Sequence, residues 1–197
     1  MSAGAPAFSL CVYCGSRSGH DSRFAQAAAQ VGRWIGAHGG QLVYGGGHGG
    51  LMGVLADATL AAGGRVVGII PRALVEREHA HRGCTELLVV DTMHERKRLM
   101  AERADAFLAL PGGIGTFEEF FEAWTWRQLG YQNKPIGLLN LHGYYDRLLD
   151  FIGHGIASGF MDESHLQLIA TGADWQALLQ QLVGAAGWPA PGRVDAI

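Results

Sequence analysis

A glycine-rich turn with the composition of an anion-binding site occupies residues 111–116, where the sequence reads PGGIGT. Backbone N–H groups approach an anion closely where side chains are absent, and a following helix adds the positive end of its dipole. The glycines could also serve only to make a tight turn. Three glycines within four positions, followed by a threonine where we expect the helix to start, favour phosphate as the ligand.

Three cations lie close together in residues 94–98, which read HERKR. We expect this segment to form the first turn of a helix, where the dipole favours anions over cations. A negative group should therefore offset these charges. The alternative is a solvated basic face paired with Asp91 and Glu95. Arginine suits a planar contact with phosphate or carboxylate, whereas lysine acts as a point charge.

Glu119 has two interpretations. In the structural one, Thr116 caps a helix and Glu119 reaches back to the threonine N–H, as in a capping box. In the functional one, Glu119 is a catalytic carboxylate beside the bound phosphate. The spacing alone favours the capping box.

The other unusual segments carry weaker signals. Residues 44–53, YGGGHGGLMG, are equally compatible with ligand binding and with close helix-to-strand packing. Cys11 and Cys14 lack the exposed helix-start setting of a redox pair. His79, His81 and Cys84 form a loop cluster without a fourth metal ligand, so no metal is expected. Residues 15–19, GSRSG, lack the GxGxxG pattern of dinucleotide-binding proteins.

Short apolar runs rich in Val, Leu and Ile alternate with segments of helical period, a pattern typical of parallel strands joined by helices. We predict an α/β fold with a doubly wound, Rossmann-like parallel sheet of about seven strands flanked by helices. The helix that follows the PGGIGT turn should pack through its aromatic residues. The predicted strands are residues 8–13, 41–44, 65–70, 86–90, 106–110, 135–139 and 166–170.

Four of the unusual segments each follow a predicted strand: residues 14–16, 45–47, 93–98 and 111–116. Carboxyl ends of parallel strands share one edge of the sheet, and ligands of open α/β sheets bind outside that edge. The sequence therefore predicts a single site where all four segments meet.

Length and composition limit the class of protein. A chain of 197 residues fits one domain, which we place at residues 8–186 between a mobile N-terminal arm (1–7) and a C-terminal tail (187–197). A net charge of −3 disfavours a nucleic-acid partner. Three cysteines without a signal peptide favour the cytoplasm, and no apolar run is long enough to cross a membrane.

Several motifs together resemble the Lonely Guy (LOG) family, over a stretch from about residue 8 to beyond residue 145. They are PGGIGTFEE (111–119), MHERK (93–97), YGGGHGGLMG (44–53), CGS (14–16) and KPIGLLN (134–140). The resemblance implies a cytokinin riboside 5′-monophosphate phosphoribohydrolase, an N-glycosyl hydrolase that releases a free base and ribose 5-phosphate. It also implies a homodimer or larger assembly that uses neither a redox cofactor nor a metal.

The same resemblance implies roles for individual residues. Arg96 and Glu119 would form the catalytic pair, and Glu78 is a further candidate. The implied substrate-binding residues are Ser16, Gly46, Met52, Lys97, Gly112, Gly113, Ile114, Gly115, Thr116 and Thr125. Glu119 would supply negative charge to an oxocarbenium-like ribose, and Arg96 would balance that carboxylate.

Two alternatives remain. Some relatives of the family carry a lysine decarboxylase label, but neither Lys97 nor Lys134, the two lysines of the chain, has a convincing pyridoxal phosphate setting. A non-catalytic carrier of a nucleotide or a phosphorylated cofactor could use the same fold, because fold alone does not define function.

Overall fold

The computed structural model describes residues 5–188 and contains a seven-stranded, all-parallel sheet in the order β4-β3-β2-β1-β5-β6-β7. The predicted fold class is confirmed. The strands are β1 (Ser9–Tyr13), β2 (Gln41–Tyr44), β3 (Arg65–Pro71), β4 (Glu86–Val90), β5 (Ala106–Ala109), β6 (Ile136–Leu139) and β7 (Ala170–Gly172).

Within residues 5–188, six α-helices cover the two faces of this sheet. They are α1 (Ser22–Ala37), α2 (Gly50–Ala61), α3 (Met93–Glu102), α4 (Ile114–Gln128), α5 (Asp146–Ala157) and α6 (Trp175–Ala185). Helices α1, α2 and α6 pack on one face, and α3, α4 and α5 pack on the other. The central strands are buried on both sides, which explains their continuous apolar sequences.

The chain reverses its direction across the sheet between β1 and β5. Strands β1 to β4 run outward on one side, whereas β5 to β7 run outward on the other. The loops that leave β1 and β5 therefore diverge and leave a crevice at the carboxyl edge. This crevice lies where the sequence predicts the site.

The last predicted strand is misplaced. Residues 163–168, assigned in part to that strand, form a short 3-10 helix (Glu163–Leu168), and β7 begins at Ala170. The Asp162 side chain accepts a hydrogen bond from the Ser164 N–H and caps this helix. Leu166 and Leu168 both pack on the core, so their alternate spacing imitates a strand.

The ends of the chain lie partly outside the described residues, which start at 5 and stop at 188. Within the predicted arm, the Ala7 N–H donates to the Gly39 carbonyl. Most of the predicted tail is outside the described range. Among the described helices, none combines the length and the apolar character needed to cross a membrane.

Helices α1 and α2 approach each other through glycine. A Cβ atom added at Gly32 of α1 would collide with the Leu55 carbonyl oxygen of α2. A Cβ atom on Gly153 of α5 would instead meet open space. The close approach of α1 fixes α2, whose first turn contributes Leu51 and Met52 to the crevice.

We expect Gly32→Ala to destabilise the protein by about 1–3 kcal/mol, because the added methyl group must push two packed helices apart. Gly153→Ala is the matched control. It should be neutral or stabilise the protein by up to about 1 kcal/mol, because alanine has a higher helix propensity than glycine at an exposed position. Urea denaturation of both variants measures the difference, and equal free energies of unfolding would contradict the close-packing argument.

Candidate active site

A cleft of about 590 Å³ opens at the carboxyl edge of the sheet, beside the β1–β5 crevice. Three of the four segments predicted to meet there line it directly, and the fourth, residues 45–47, contacts the lining arginine. Two further loops, after β3 and after β6, complete the wall. The lining residues include Cys14, Gly15, Ser16, Met52, Leu74, Glu78, Met93, Arg96, Gly112, Gly113, Ile114, Gly115, Thr116, Glu119 and Tyr144.

Helix α4 begins at this cleft without a side-chain cap. Its N-cap residue is Gly113, which has no side chain to offer, and its first turn contains no acidic residue. Helices α2 and α5 also begin without a side-chain cap, whereas side-chain oxygens cap the other three helices. The start of α4 therefore presents free N–H groups and a positive dipole end to the cleft, as an anion-binding site requires.

The capping-box interpretation of Glu119 is wrong. Helix α4 starts at Ile114, two residues before Thr116, so Thr116 lies inside its first turn and is not the cap. The threonine is buried against the turn, and a Cβ atom at Gly112 would collide with its hydroxyl group. The glycine at 112 thus lets the Thr116 hydroxyl approach the backbone at the edge of the cleft.

The Glu119 side chain lies one helical turn further along α4 and lines the cleft. Burial raises the pKa of its carboxyl from 4.5 to about 7, and the positive charge of Arg96 opposes this rise. The negative charges of Glu118 and Glu78 raise the pKa further. A carboxyl that titrates near neutral pH in a cleft has the character of an acid–base or charge-stabilising group.

Arg96 is buried, with 5% of its surface exposed. Its Nη2 donates to the Gly45 carbonyl at 3.0 Å and lies 3.7 Å from Glu78 Oε2. A Cβ atom at Gly45 would collide with the guanidinium, so glycine is required there. Among the described residues, Arg96 Nε and Glu78 Oε2 are buried without hydrogen-bond partners. Buried polar atoms of this kind are expected to bind a ligand or a water molecule.

Glu78 is a site residue that the sequence identified only through the resemblance. It lies in the loop after β3, a segment without glycine clustering or helical period. The antiparallel bridge between Gly47 and Ala80 holds this loop against the loop after β2. That contact brings Glu78 to Arg96, and no local sequence pattern signals it.

Lys97 does not line the cleft. Its ammonium group donates to Glu118 Oε1 at 2.6 Å and to Glu122 Oε1 at 2.8 Å, which joins α3 to α4. Hydrogen bonds to both glutamates raise the pKa of Lys97 against the opposing effect of burial, so its charge is retained. Part of the negative charge expected near the basic segment is therefore supplied by Glu118 and Glu122 of α4. The interpretation of the segment as a solvated basic face is wrong for Arg96 and Lys97.

Two other predicted substrate-binding residues also lie outside the cleft lining. Thr125 is exposed further along α4. Gly46 has a positive φ of 77° and packs against β3, so it serves close backbone approach. At Gly53, an added Cβ atom would collide with the His48 carbonyl of the same segment, so glycine there permits the tight turn into α2. Met52 from the same segment does line the cleft.

The residues that could hold a metal ion are not His79, His81 and Cys84, which are close in the sequence. Among the described residues, the side chains that come together are those of His48, Asp57 and His81. The Gly83 N–H donates to His81 Nδ1, so the proton of the neutral imidazole is on Nε2, which donates to Asp57. This tautomer leaves no lone pair at Nε2 for a metal.

The lysines and cysteines, the candidates for Schiff-base and redox chemistry, either have hydrogen-bond partners or are buried. Lys134 Nζ donates to the Ala101 carbonyl, so both lysines of the chain have partners. The cysteines are free thiols, and burial raises the pKa of Cys11 and Cys14 well above the ordinary value. These environments give no support to Schiff-base or redox chemistry.

Comparison with solved structures identifies the class of fold. The Moco carrier protein of Chlamydomonas reinhardtii matches with a TM-score of 0.66 and 20% identity, over 92% of this chain and 99% of that one. The DNA processing protein A of Helicobacter pylori matches with a TM-score of 0.56 and 13% identity, over 91% of this chain and 81% of that one. Both likenesses show the Rossmann-type α/β fold alone.

Sequence comparison identifies the family. The sequence model of the family described as "Possible lysine decarboxylase" matches residues 52–182. The cytokinin riboside 5′-monophosphate phosphoribohydrolase of Rhodococcoides fascians is 52% identical over 78% of both chains. The probable cytokinin riboside 5′-monophosphate phosphoribohydrolase LOGL1 of Oryza sativa subsp. japonica is 46% identical over 88% of this chain and 78% of its own length. The protein belongs to the LOG family.

The raised pKa of Glu119 predicts a pH dependence of stability. The unfolded chain loses this proton near pH 4.5, whereas the folded protein retains it up to about pH 7. The folded state thus binds more protons in this interval, so the contribution of Glu119 to stability falls as the pH rises from 4.5 to 7. Between these two pH values, the free energy of unfolding of the wild type should fall by on the order of 1–3 kcal/mol relative to that of Glu119→Gln.

Urea denaturation of both proteins at several pH values measures this difference. Above pH 7 and below pH 4.5, the difference in free energy of unfolding between the wild type and Glu119→Gln should not change with pH. A difference that is flat throughout would show that the Glu119 carboxyl has its ordinary pKa.

Proposed function

We propose that this protein hydrolyses the N-glycosidic bond of purine nucleoside 5′-monophosphates. The substrates include N6-substituted adenosine monophosphates, such as cytokinin riboside monophosphates, and AMP. The products are the free base and ribose 5-phosphate. Its family membership and a relative 52% identical that bears the phosphoribohydrolase name support this reaction.

One observation carries the proposal: an uncapped helix start and a carboxyl with a pKa near 7 face the same cleft from the first two turns of α4. The rise along the helix from Thr116 to Glu119 is about 4.5 Å, which is comparable to the reach of a ribose from its 5′-phosphate to C1′. Phosphate bound at Gly113, Gly115 and Thr116, with help from Ser16, therefore brings C1′ to Glu119.

The bond between C1′ and the base breaks with its electron pair leaving on the base nitrogen, which then takes up a proton. Positive charge develops on the ribose ring, and the Glu119 carboxylate stabilises it and orients the attacking water. The water oxygen bonds to C1′ and its second proton is released. Binding energy from the remote phosphate serves to orient the reacting carbon, so nucleosides without phosphate are poor substrates.

Arg96 balances the charge of the Glu119 carboxylate and favours its ionised form. Its effect is to lower the pKa of Glu119 against the dominant effect of burial. The Arg96 guanidinium is itself held by the Gly45 carbonyl and by Glu78. The unpartnered Arg96 Nε and Glu78 Oε2 are available to the sugar hydroxyl groups.

Lys97 holds α3 and α4 together through Glu118 and Glu122 and thereby fixes the distance between Arg96 and Glu119. Within a single chain, neither Thr125 nor Gly46 lines the cleft. Any role of the exposed Thr125 in substrate binding would require a neighbouring subunit.

Product analysis with AMP and N6-isopentenyl-AMP tests the reaction. Free base together with ribose 5-phosphate is the expected result for both. Release of carbon dioxide from lysine would instead identify a decarboxylase. A nucleotide that binds but is recovered unchanged would identify a carrier.

Two variants test the catalytic pair. Glu119→Gln should fold normally, because Glu119 is not a helix cap, and should lower kcat by on the order of 100-fold or more. Arg96→Ala should cause a similar loss, and the double variant should be less than additive. In the wild type, kcat/KM should fall as the pH drops below about 7, where the carboxylate becomes protonated. A folded Gln variant with normal turnover of AMP would exclude Glu119 from catalysis.

We also propose that the protein acts in the cytoplasm as a homodimer. Three free cysteines agree with a reducing compartment. On α4, Trp124 is buried whereas Trp126 is partly exposed, so Trp126 is available to a partner. Light scattering at micromolar concentration should give twice the chain mass of 21.0 kDa. A mass of one chain would refute the dimer and leave the hydrolase proposal intact.

A further inference from the structure

The carbonyl groups of the turn after β5 are all occupied. Four consecutive carbonyls accept hydrogen bonds: Leu110 from Tyr145 Oη, Pro111 from the Gly15 N–H, Gly112 from Tyr144 Oη, and Gly113 from the Phe117 N–H. In contrast, the five N–H groups of residues 112–116 have no partner within residues 5–188. The turn therefore directs its acceptors into the protein and leaves its donors free.

The direction of each N–H group follows from the preceding carbonyl. In a planar trans peptide the C=O of one residue and the N–H of the next point in opposite directions. The Gly112–Gly113 peptide is trans. A hydrogen bond that holds the Gly112 carbonyl therefore also sets the direction of the Gly113 N–H.

The peptide between Gly112 and Gly113 is the least constrained of the four. The Leu110 carbonyl directly follows a strand, the proline ring restricts φ at residue 111, and the Gly113 carbonyl already belongs to the helix. Glycines on both sides of one peptide leave it free to rotate. The hydroxyl group of Tyr144 makes the one described hydrogen bond to this peptide.

The Tyr144 ring is held in place to make this contact. It packs edge-on against Phe24 with ring centroids 5.6 Å apart and against Tyr145 at 4.9 Å. Tyr144 and Phe24 both line the cleft. The loop after β6 thus reaches across to the turn after β5.

We propose that Tyr144 is a positioning residue for the 5′-phosphate of the substrate. Its hydroxyl group holds the Gly112 carbonyl and so aims the Gly113 N–H into the row of donors at the start of α4. The inference rests on the proposed function in one respect: the phosphate binds at this helix start. Tyr144 affects recognition of the phosphate and leaves the chemical step at C1′ to Glu119.

The test compares Tyr144→Phe with Tyr145→Phe. Both variants remove a hydroxyl group that donates to a carbonyl of the same segment, but only Tyr144 contacts a peptide beside the free N–H groups. Calorimetry measures the Kd of ribose 5-phosphate. Tyr144→Phe should weaken binding about fivefold, the scale of one hydrogen bond, and should raise KM for AMP with little change in kcat. Turnover of adenosine, which has no phosphate, should be unchanged.

Tyr145→Phe should lower the melting temperature, because it leaves the buried Leu110 carbonyl unpaired, but should change the Kd of ribose 5-phosphate less than twofold. Gly115→Val is the positive control, since its side chain would fill the open space beside the donors and block binding. As a second measurement, the Gly113 amide resonance in 15N-labelled protein should shift when inorganic phosphate is added to the wild type. The shift should be smaller in Tyr144→Phe.

Three results would overturn the inference: an unchanged Kd in Tyr144→Phe, an equal loss of activity on AMP and adenosine, or a wild type that binds no ribose 5-phosphate. Failure of the proposed function is distinguishable. A wild type that binds ribose 5-phosphate in a Tyr144-dependent manner but leaves AMP intact would retain the positioning role and refute the hydrolase.

Discussion

The buried guanidinium of Arg96 is the interaction on which the cleft depends. A charge removed from water must be compensated by nearby dipoles or opposite charges, and here the compensation comes from three different segments. The Gly45 carbonyl, in the loop after β2, accepts a hydrogen bond from the guanidinium, and Glu78, in the loop after β3, lies 3.7 Å from it. Glu119 on α4 interacts with the guanidinium through its charge. Because each partner belongs to a different strand–helix unit, burial of this one group fixes the relative positions of all of them.

The same constraint explains the chemistry of the carboxyl. Burial alone would keep Glu119 protonated, and full exposure would give it an ordinary pKa. With Arg96 nearby, the pKa of Glu119 remains close to neutrality, where both protonation states are accessible. The Rossmann-type fold is shared with the Moco carrier protein of Chlamydomonas reinhardtii, so the fold itself does not distinguish a hydrolase from a carrier.

Much of the fold was predictable from the sequence, because buried parallel strands have apolar sequences that need no tertiary information to recognise. The location of the site was predictable for the same reason, since loops after parallel strands must meet at one edge. The roles of Lys97 and Thr125 could not be settled from motifs, because adjacency in sequence to Arg96, or position on α4, does not determine which way a side chain faces. Glu78 and Tyr144 lie in loops without periodicity and reach the cleft only through tertiary contacts. The prediction of a strand from residue 166 was wrong because the 3-10 helix places Leu166 and Leu168, two residues apart, on the core as a strand would.

The order of strands has a consequence for biosynthesis. β1 is central in the finished sheet, where Leu10 pairs with Leu42 on one side and with Ala106 on the other. While the ribosome is still translating the segment before β5, β1 is an edge strand with unpaired backbone groups and an apolar sequence. Such an edge is a template for pairing with other chains. Pairing with β5 therefore removes an aggregation hazard of the nascent chain, and the same strand leads directly into the glycine-rich turn of the cleft.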